Sequence, residues 1–236
     1  MIEKFLSSII LEDKEYESAT FYLNVRGIAE HEMVRDYLVS MTGGKITYSQ
    51  IATAMRYDKR IRRIVFKYIG LLEEYIRAYL CNKYSSNYSM IDKANGLKKA
   101  LSENKNFYDA IESLTFNKLI SQIKFMPEDD KIEIFDNYKS KEDWFVRDLD
   151  AIVALRDEVS HNRFILNSVR LKKNSAGDNN GSLWSNLVNL KNYLPIFARR
   201  TFANEINEST IPSEKKYPNQ TEWDLIPSII VELAQD

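Results

Sequence analysis

Apolar residues recur at spacings of three and four along most of this chain, the period of helices that bury one face. The longest such run covers residues 57–84, where Ile61, Ile64, Val65, Tyr68, Ile69, Leu72, Ile76 and Leu80 trace one stripe and predict a central core helix. Upstream, residues 5–23 and 29–41 predict two helices, the second stopped by Gly43-Gly44, which has the chemistry of a helix C-terminus. Thr47-Tyr48-Ser49-Gln50 has the form of a capping box, with Thr47 as cap and Gln50 reaching back. After a polar interval at 85–89, shorter helices are expected over 91–102 and 107–124. Pro127-Glu128-Asp129-Asp130 opens another, proline in its first turn and carboxylates at its positive end. Ser140, with Asp143 three residues on, caps a helix over 142–162. Residues 172–182 are rich in turn formers and predict an exposed loop. A helix over 183–207, kinked or restarted near Pro195, and a last one over 222–234, distorted or started at Pro227, complete an all-α reading.

Composition narrows the chemistry. In 236 residues there are 7 glycines and 5 prolines, too few for a turn-rich sandwich or barrel. A formal net charge of -1 leaves no bulk attraction for nucleic acid, so any such site must be a local basic patch. One cysteine, Cys81, forbids an intrachain disulfide and fits a reducing cytoplasm. The short apolar run near the start is interrupted by Glu12, Asp13 and Lys14, so no signal or membrane-spanning helix is expected. With only His31, His161 and Cys81, a structural zinc site of Cys and His ligands cannot be assembled within one chain. No Gly-x-Ser-x-Gly elbow is present, and Gly43-Gly44-Lys45 lacks the other residues of a phosphate loop. No cofactor and no metal are expected.

One irregularity stands out in the helix predicted over 142–162. Phe145, Leu149, Ile152, position 156 and Val159 follow the apolar stripe, and position 156 is arginine. A guanidinium on such a seam either pairs with Asp150 or another carboxylate at the helix edge, or meets a phosphate or a facing subunit. His161 follows five residues later, a rotation of about 140° on an ideal helix, so the two side chains converge only across a helix end. Asp157 lies four residues before His161, on its face, placed to orient the imidazole. A histidine at a helix end is otherwise a C-terminal cation or a cap. Asn162 either orients a phosphate or caps the helix.

Leu155-Arg156-Asp157-Glu158-Val159-Ser160-His161-Asn162-Arg163 resembles the Arg-polar-spacer-His signature of the HEPN superfamily, in particular its abortive-infection (Abi-like, AbiD/AbiF) branch. Three further blocks are similar to that branch in order. They are the basic run from Arg56 to Arg63 leading to Glu73 and Arg77, Leu114-Thr115-Phe116-Asn117 with Asn117 in place of a glycine, and the helix starting at Leu183-Trp184. The resemblance implies a HEPN-like helical bundle with additional N- and C-terminal helices. In it, residues 1–46 form an extension, 47–171 the core, 172–182 a loop and 183–236 the terminal helices. It further implies a homodimer whose two Arg156/His161 pairs share a cleft and cleave RNA without metal, in a phage-defence or toxin system restrained by an antitoxin protein or a noncoding RNA.

RNA must also be held. Arg56, Lys59, Arg60, Arg62, Arg63 and Lys67 crowd six cations into little more than three turns with only Asp58 opposing them. Such a run is either a solvated face or a phosphate-tracking strip. Arg77 either pairs with Glu73 on its own helix or supplements the cleft, and Arg163 extends the basic set. His31, between Glu30 and Glu32, reads as a surface residue. Two other classes compete with the nuclease: a non-catalytic HEPN module that binds RNA or protein, and a helical nucleotide-binding partner of a transferase.

Overall fold

A computed structural model describes residues 1–88, 95–104, 106–136, 142–167, 182–209 and 229–231. Eleven α-helices and no strand occur among them: α1 (Ile2–Leu6), α2 (Tyr16–Arg26), α3 (Ile28–Thr42), α4 (Tyr48–Tyr84), α5 (Asn95–Glu103), α6 (Phe107–Glu112), α7 (Phe116–Lys124), α8 (Glu128–Ile134), α9 (Glu142–Ser160), α10 (Leu183–Tyr193) and α11 (Ile196–Glu208). The predicted cap of α9 at Ser140, the loop at 172–181 and the last predicted helix up to residue 228 lie outside the described residues.

The axis of the fold is α4. Its 37 residues span about 55 Å at 1.5 Å per residue. The expected stripe is buried along its length, from Ile51 through Ile61, Val65, Leu72 and Ile76 to Leu80. It begins nine residues earlier than periodicity alone suggests, because the capping box forms: Gln50 N donates to Thr47 Oγ1 at 3.1 Å and Thr47 N donates to Gln50 Oε1 at 2.8 Å. Helices α3, α6, α7, α9, α10 and α11 pack on it, and α9 is held in turn by α7 and α10. Asn189 Nδ2 on α10 donates to the Asp148 carbonyl of α9 at 2.8 Å. A single cluster of buried side chains runs from Phe5 to Val231. No helix among the described residues is long and apolar enough to cross a membrane.

Four predicted elements differ. The stretch at 5–23 is not one helix: Ile10 leaves helical geometry to pair with the segment before α4, its N–H donating to the Ile46 carbonyl at 2.8 Å and its carbonyl accepting from Tyr48 N at 3.0 Å. The helix predicted over 107–124 breaks between Glu112 and Phe116, and Arg77 of α4 donates to the freed carbonyls of Ile111 and Leu114, the latter at 2.6 Å. Pro127 is the N-cap of α8 and precedes that helix instead of entering its first turn, whereas the restart expected near Pro195 forms, with Pro195 the N-cap of α11. Residues 229–231, the described part of the predicted last helix, are not helical; Val231 N donates to Asn207 Oδ1 at 2.8 Å.

His31 is also not a surface residue. It is 1% exposed, because His31, Val34 and Leu38 share one face of α3 that packs inward. Its Nδ1 donates to the Gly27 carbonyl at 2.9 Å, and its ring lies parallel to Tyr48 at 6.3 Å.

Candidate functional site

Helix α9 ends in a left-handed turn built by Asn162. Asn162 has φ 53, in the region that asparagine tolerates better than most residues, and it sits at the first position beyond the helix cap. Its N–H donates to the Val159 carbonyl at 3.1 Å and Arg163 N donates to the Glu158 carbonyl at 3.0 Å, the paired bonds of a Schellman motif. An apolar contact usually joins the two residues that flank such a turn. Here Arg163 Nη1 meets the buried Glu158 carboxylate at 2.6 Å instead.

That turn is fastened to α4. Asp58, 1% exposed, accepts from Arg62 Nε at 2.5 Å on one oxygen and from Ile165 N and Leu166 N at 2.7 and 3.3 Å on the other. Arg62, 8% exposed, donates onward from Nη1 to Asn162 Oδ1 at 3.1 Å. Burial, opposed by the Arg62 charge and the Ile165 N–H, holds the Asp58 carboxyl above its ordinary value. Asp58, Arg62 and Asn162 thus form a latch that fixes the end of α9 against the basic segment of α4.

The latch settles two open readings. Asn162 caps the helix, and Arg62 is a buried structural cation, not a member of an exposed strip. Replacing Asn162 with alanine removes the Arg62 acceptor and places a residue without asparagine's tolerance in left-handed backbone. We expect a loss of about 1–2 kcal/mol in chemical denaturation, with glycine costing less than alanine; an alanine variant as stable as the wild type would contradict the latch.

Arg156 and His161 project outward on either side of this end. Arg156 is not seated in the apolar seam: its side chain is 38% exposed, because Leu155 and Ile152 occupy the inward positions beside it. Nη1 lies 3.3 Å from the exposed Asp157 carboxylate, a weak partner at that distance and exposure. Asp150, the other carboxylate considered, pairs with Lys124 at 2.6 Å. His161 is exposed, with its backbone N–H donating to the Asp157 carbonyl at 3.1 Å. A group able to move a proton and a half-buried group able to bind a phosphate therefore stand near the same end of α9.

The remaining candidate cations separate into groups. Arg56, Lys59, Arg60 and Arg63 line one cavity on α4. Lys67 pairs with Glu205 of α11 at 2.5 Å, alongside the Tyr68 hydroxyl. Arg77 pairs with Glu73 on its own helix at 2.5 Å and donates to the carbonyls of Ile111 and Leu114. Arg163 is engaged by Glu158. The residue that sequence reasoning passed over is Asp58, although its i,i+4 spacing to Arg62 within a cationic run was a readable sign of a pair. Among the described residues no cluster of three or more His, Cys, Asp or Glu side chains is placed to hold a metal ion. Compared with known proteins, the chain matches no family model, no curated protein and no solved structure.

Proposed function

We propose that this chain is a HEPN-type endoribonuclease of a phage-defence or toxin system, acting as a homodimer through Arg156 and His161. The observation that carries the reading is the end of α9, where exposed His161 and half-buried Arg156 lie beside a left-handed turn that Asn162 and Arg62 hold to α4. A second copy facing the first would supply the walls of a cleft and a second histidine. In such a cleft the ribose 2'-oxygen attacks phosphorus while its proton passes to one histidine. The bond from phosphorus to the 5'-oxygen breaks, and the leaving oxygen takes a proton from the other histidine. Arg156 stabilises the charge on the non-bridging oxygens. The products are a 2',3'-cyclic phosphate and a 5'-hydroxyl, with no metal in any step.

The test is single-stranded RNA incubated with the purified chain in EDTA, beside its mass in solution. Cleavage by a dimer is expected. A chain that stays monomeric at high concentration, or that cuts only when divalent metal is added, contradicts the proposal. Tight RNA binding with no cleavage would instead support a binding module, a reading favoured by a basic cavity whose lining includes neither Arg156 nor His161.

A further inference from the structure

The basic residues of α4 do not form an open track. Between α2, α3 and α4 lies a cavity of about 320 Å³, toward the small end of ligand pockets and of a size for one nucleotide. Arg26 of α2 joins Arg56, Lys59, Arg60 and Arg63 of α4 on its walls, and no carboxylate is among its lining residues. Arg26, Lys59 and Arg63 have no ion pair among the described residues, and Arg56 is held only by Thr53 Oγ1 at 3.0 Å. Such crowding is unfavourable for the empty chain: burial and, to a lesser degree, the neighbouring Arg56 charge push the Arg60 guanidinium down. Arg26, Arg56, Lys59 and Arg63, four cations around one concavity with no ion pair among the described residues, are the footprint of a polyanionic or phosphate ligand.

The rest of the wall is aromatic. Tyr22 of α2 lines the cavity, is 45% exposed and lies at a steep angle to Phe21 with ring centres 5.3 Å apart. Tyr48 lies deeper, stacked on His31, whose Nδ1 is committed to the Gly27 carbonyl. Burial pushes the Tyr48 phenol up to about 12, so its hydroxyl stays a neutral donor at neutral pH. Phosphate-binding cations beside a stacking face are the two elements that hold a nucleotide of single-stranded nucleic acid. Arg62, about 100° around α4 from the centre of this group, is turned away to the latch and does not line the cavity.

We propose that the cavity between α2, α3 and α4 is a nucleotide pocket, in which Arg56, Lys59, Arg60 and Arg63 bind the phosphate of one nucleoside phosphate while its base stacks on Tyr22. The pocket deepens the RNA-holding part of the proposed function and does not use Arg156 or His161. Its ligand is either a free nucleotide or one nucleotide of an RNA strand.

The experiment titrates the full chain with AMP, adenosine, inorganic phosphate and a short single-stranded oligoribonucleotide, repeated for Tyr22→Ala, for the double variant Lys59→Gln/Arg63→Gln and for His161→Ala. All variants are first matched for melting temperature. Binding of AMP, or of the oligoribonucleotide alone if the strand is the source, is expected to weaken about tenfold or more in Tyr22→Ala and in the double variant. Where AMP binds, His161→Ala binds it as the wild type does. Adenosine binding as tightly as AMP, binding that neither pocket variant weakens, or no binding of any phosphate-bearing probe overturns the pocket. RNA cleavage with an indifferent pocket leaves the nuclease standing and the pocket fallen; nucleotide binding without cleavage does the reverse.

Discussion

Asp58→Ala is expected to lose about 3–5 kcal/mol of stability, a large share of what a domain of this size commands. The carboxylate is the buried counter-charge of Arg62 and the acceptor for the backbone of Ile165 and Leu166. Removing it strands a guanidinium that is 8% exposed and two backbone donors at once. Asp58→Asn keeps an acceptor oxygen and is expected to cost less. It also reveals the proton linkage. Because the folded chain holds the Asp58 carboxyl above its ordinary value, it takes up that proton at higher pH than the unfolded chain. The contribution of this group is then greatest below its unfolded value and falls as pH rises through its folded value. Denaturation curves collected from neutral to acid pH should show the wild type gaining on Asp58→Asn as pH falls. A wild-type advantage that shrinks on acidification would contradict the burial-dominated latch.

His161→Ala and Arg156→Ala are expected to act on chemistry and not on the fold. His161 is exposed, Arg156 is half-buried with only the exposed Asp157 as ion-pair partner, and neither belongs to the core cluster, so each variant should melt within about 1 kcal/mol of the wild type. Loss of a general acid or base slows cleavage by about 10²- to 10⁴-fold, and loss of a phosphate-stabilising cation by about 10²- to 10³-fold. Arg156→Lys retains charge without the planar fork and should recover only part of the rate. Single-turnover RNA cleavage at matched melting temperature measures these effects. Full activity in both variants would remove Arg156 and His161 from the mechanism.

Signals that are local were legible in the sequence. The capping box of Thr47 and Gln50 and the stripe from Ile61 to Leu80 are written in short-range spacing, and both appear as read. What was not legible depends on distant chain. Nothing near Ile10 announces that it will pair with the residues before α4. The apolar period likewise runs straight through the break at Ser113 to Thr115, because Ala110, Ile111, Leu119 and Ile120 all face the core. His31 was misread from its two glutamate neighbours, although its spacing to Val34 and Leu38 placed it on the inward face. At the candidate site, the linear motif around Arg156 and His161 was visible. The turn that presents it was not, since that turn rests on Asp58 and Arg62, about a hundred residues away in the chain. The basic run was visible as a strip, while its folding into a pocket required α2 and α3 to close over it.

The most direct measurement is the end chemistry of RNA cut by the purified chain in EDTA. Proton transfer through His161 with charge stabilisation by Arg156 predicts fragments ending in 2',3'-cyclic phosphate with 5'-hydroxyl partners, and no fragments from Arg156→Ala or His161→Ala on the same time scale. Fragments carrying 5'-phosphate and 3'-hydroxyl ends, or cutting that appears only with added divalent metal, would contradict it.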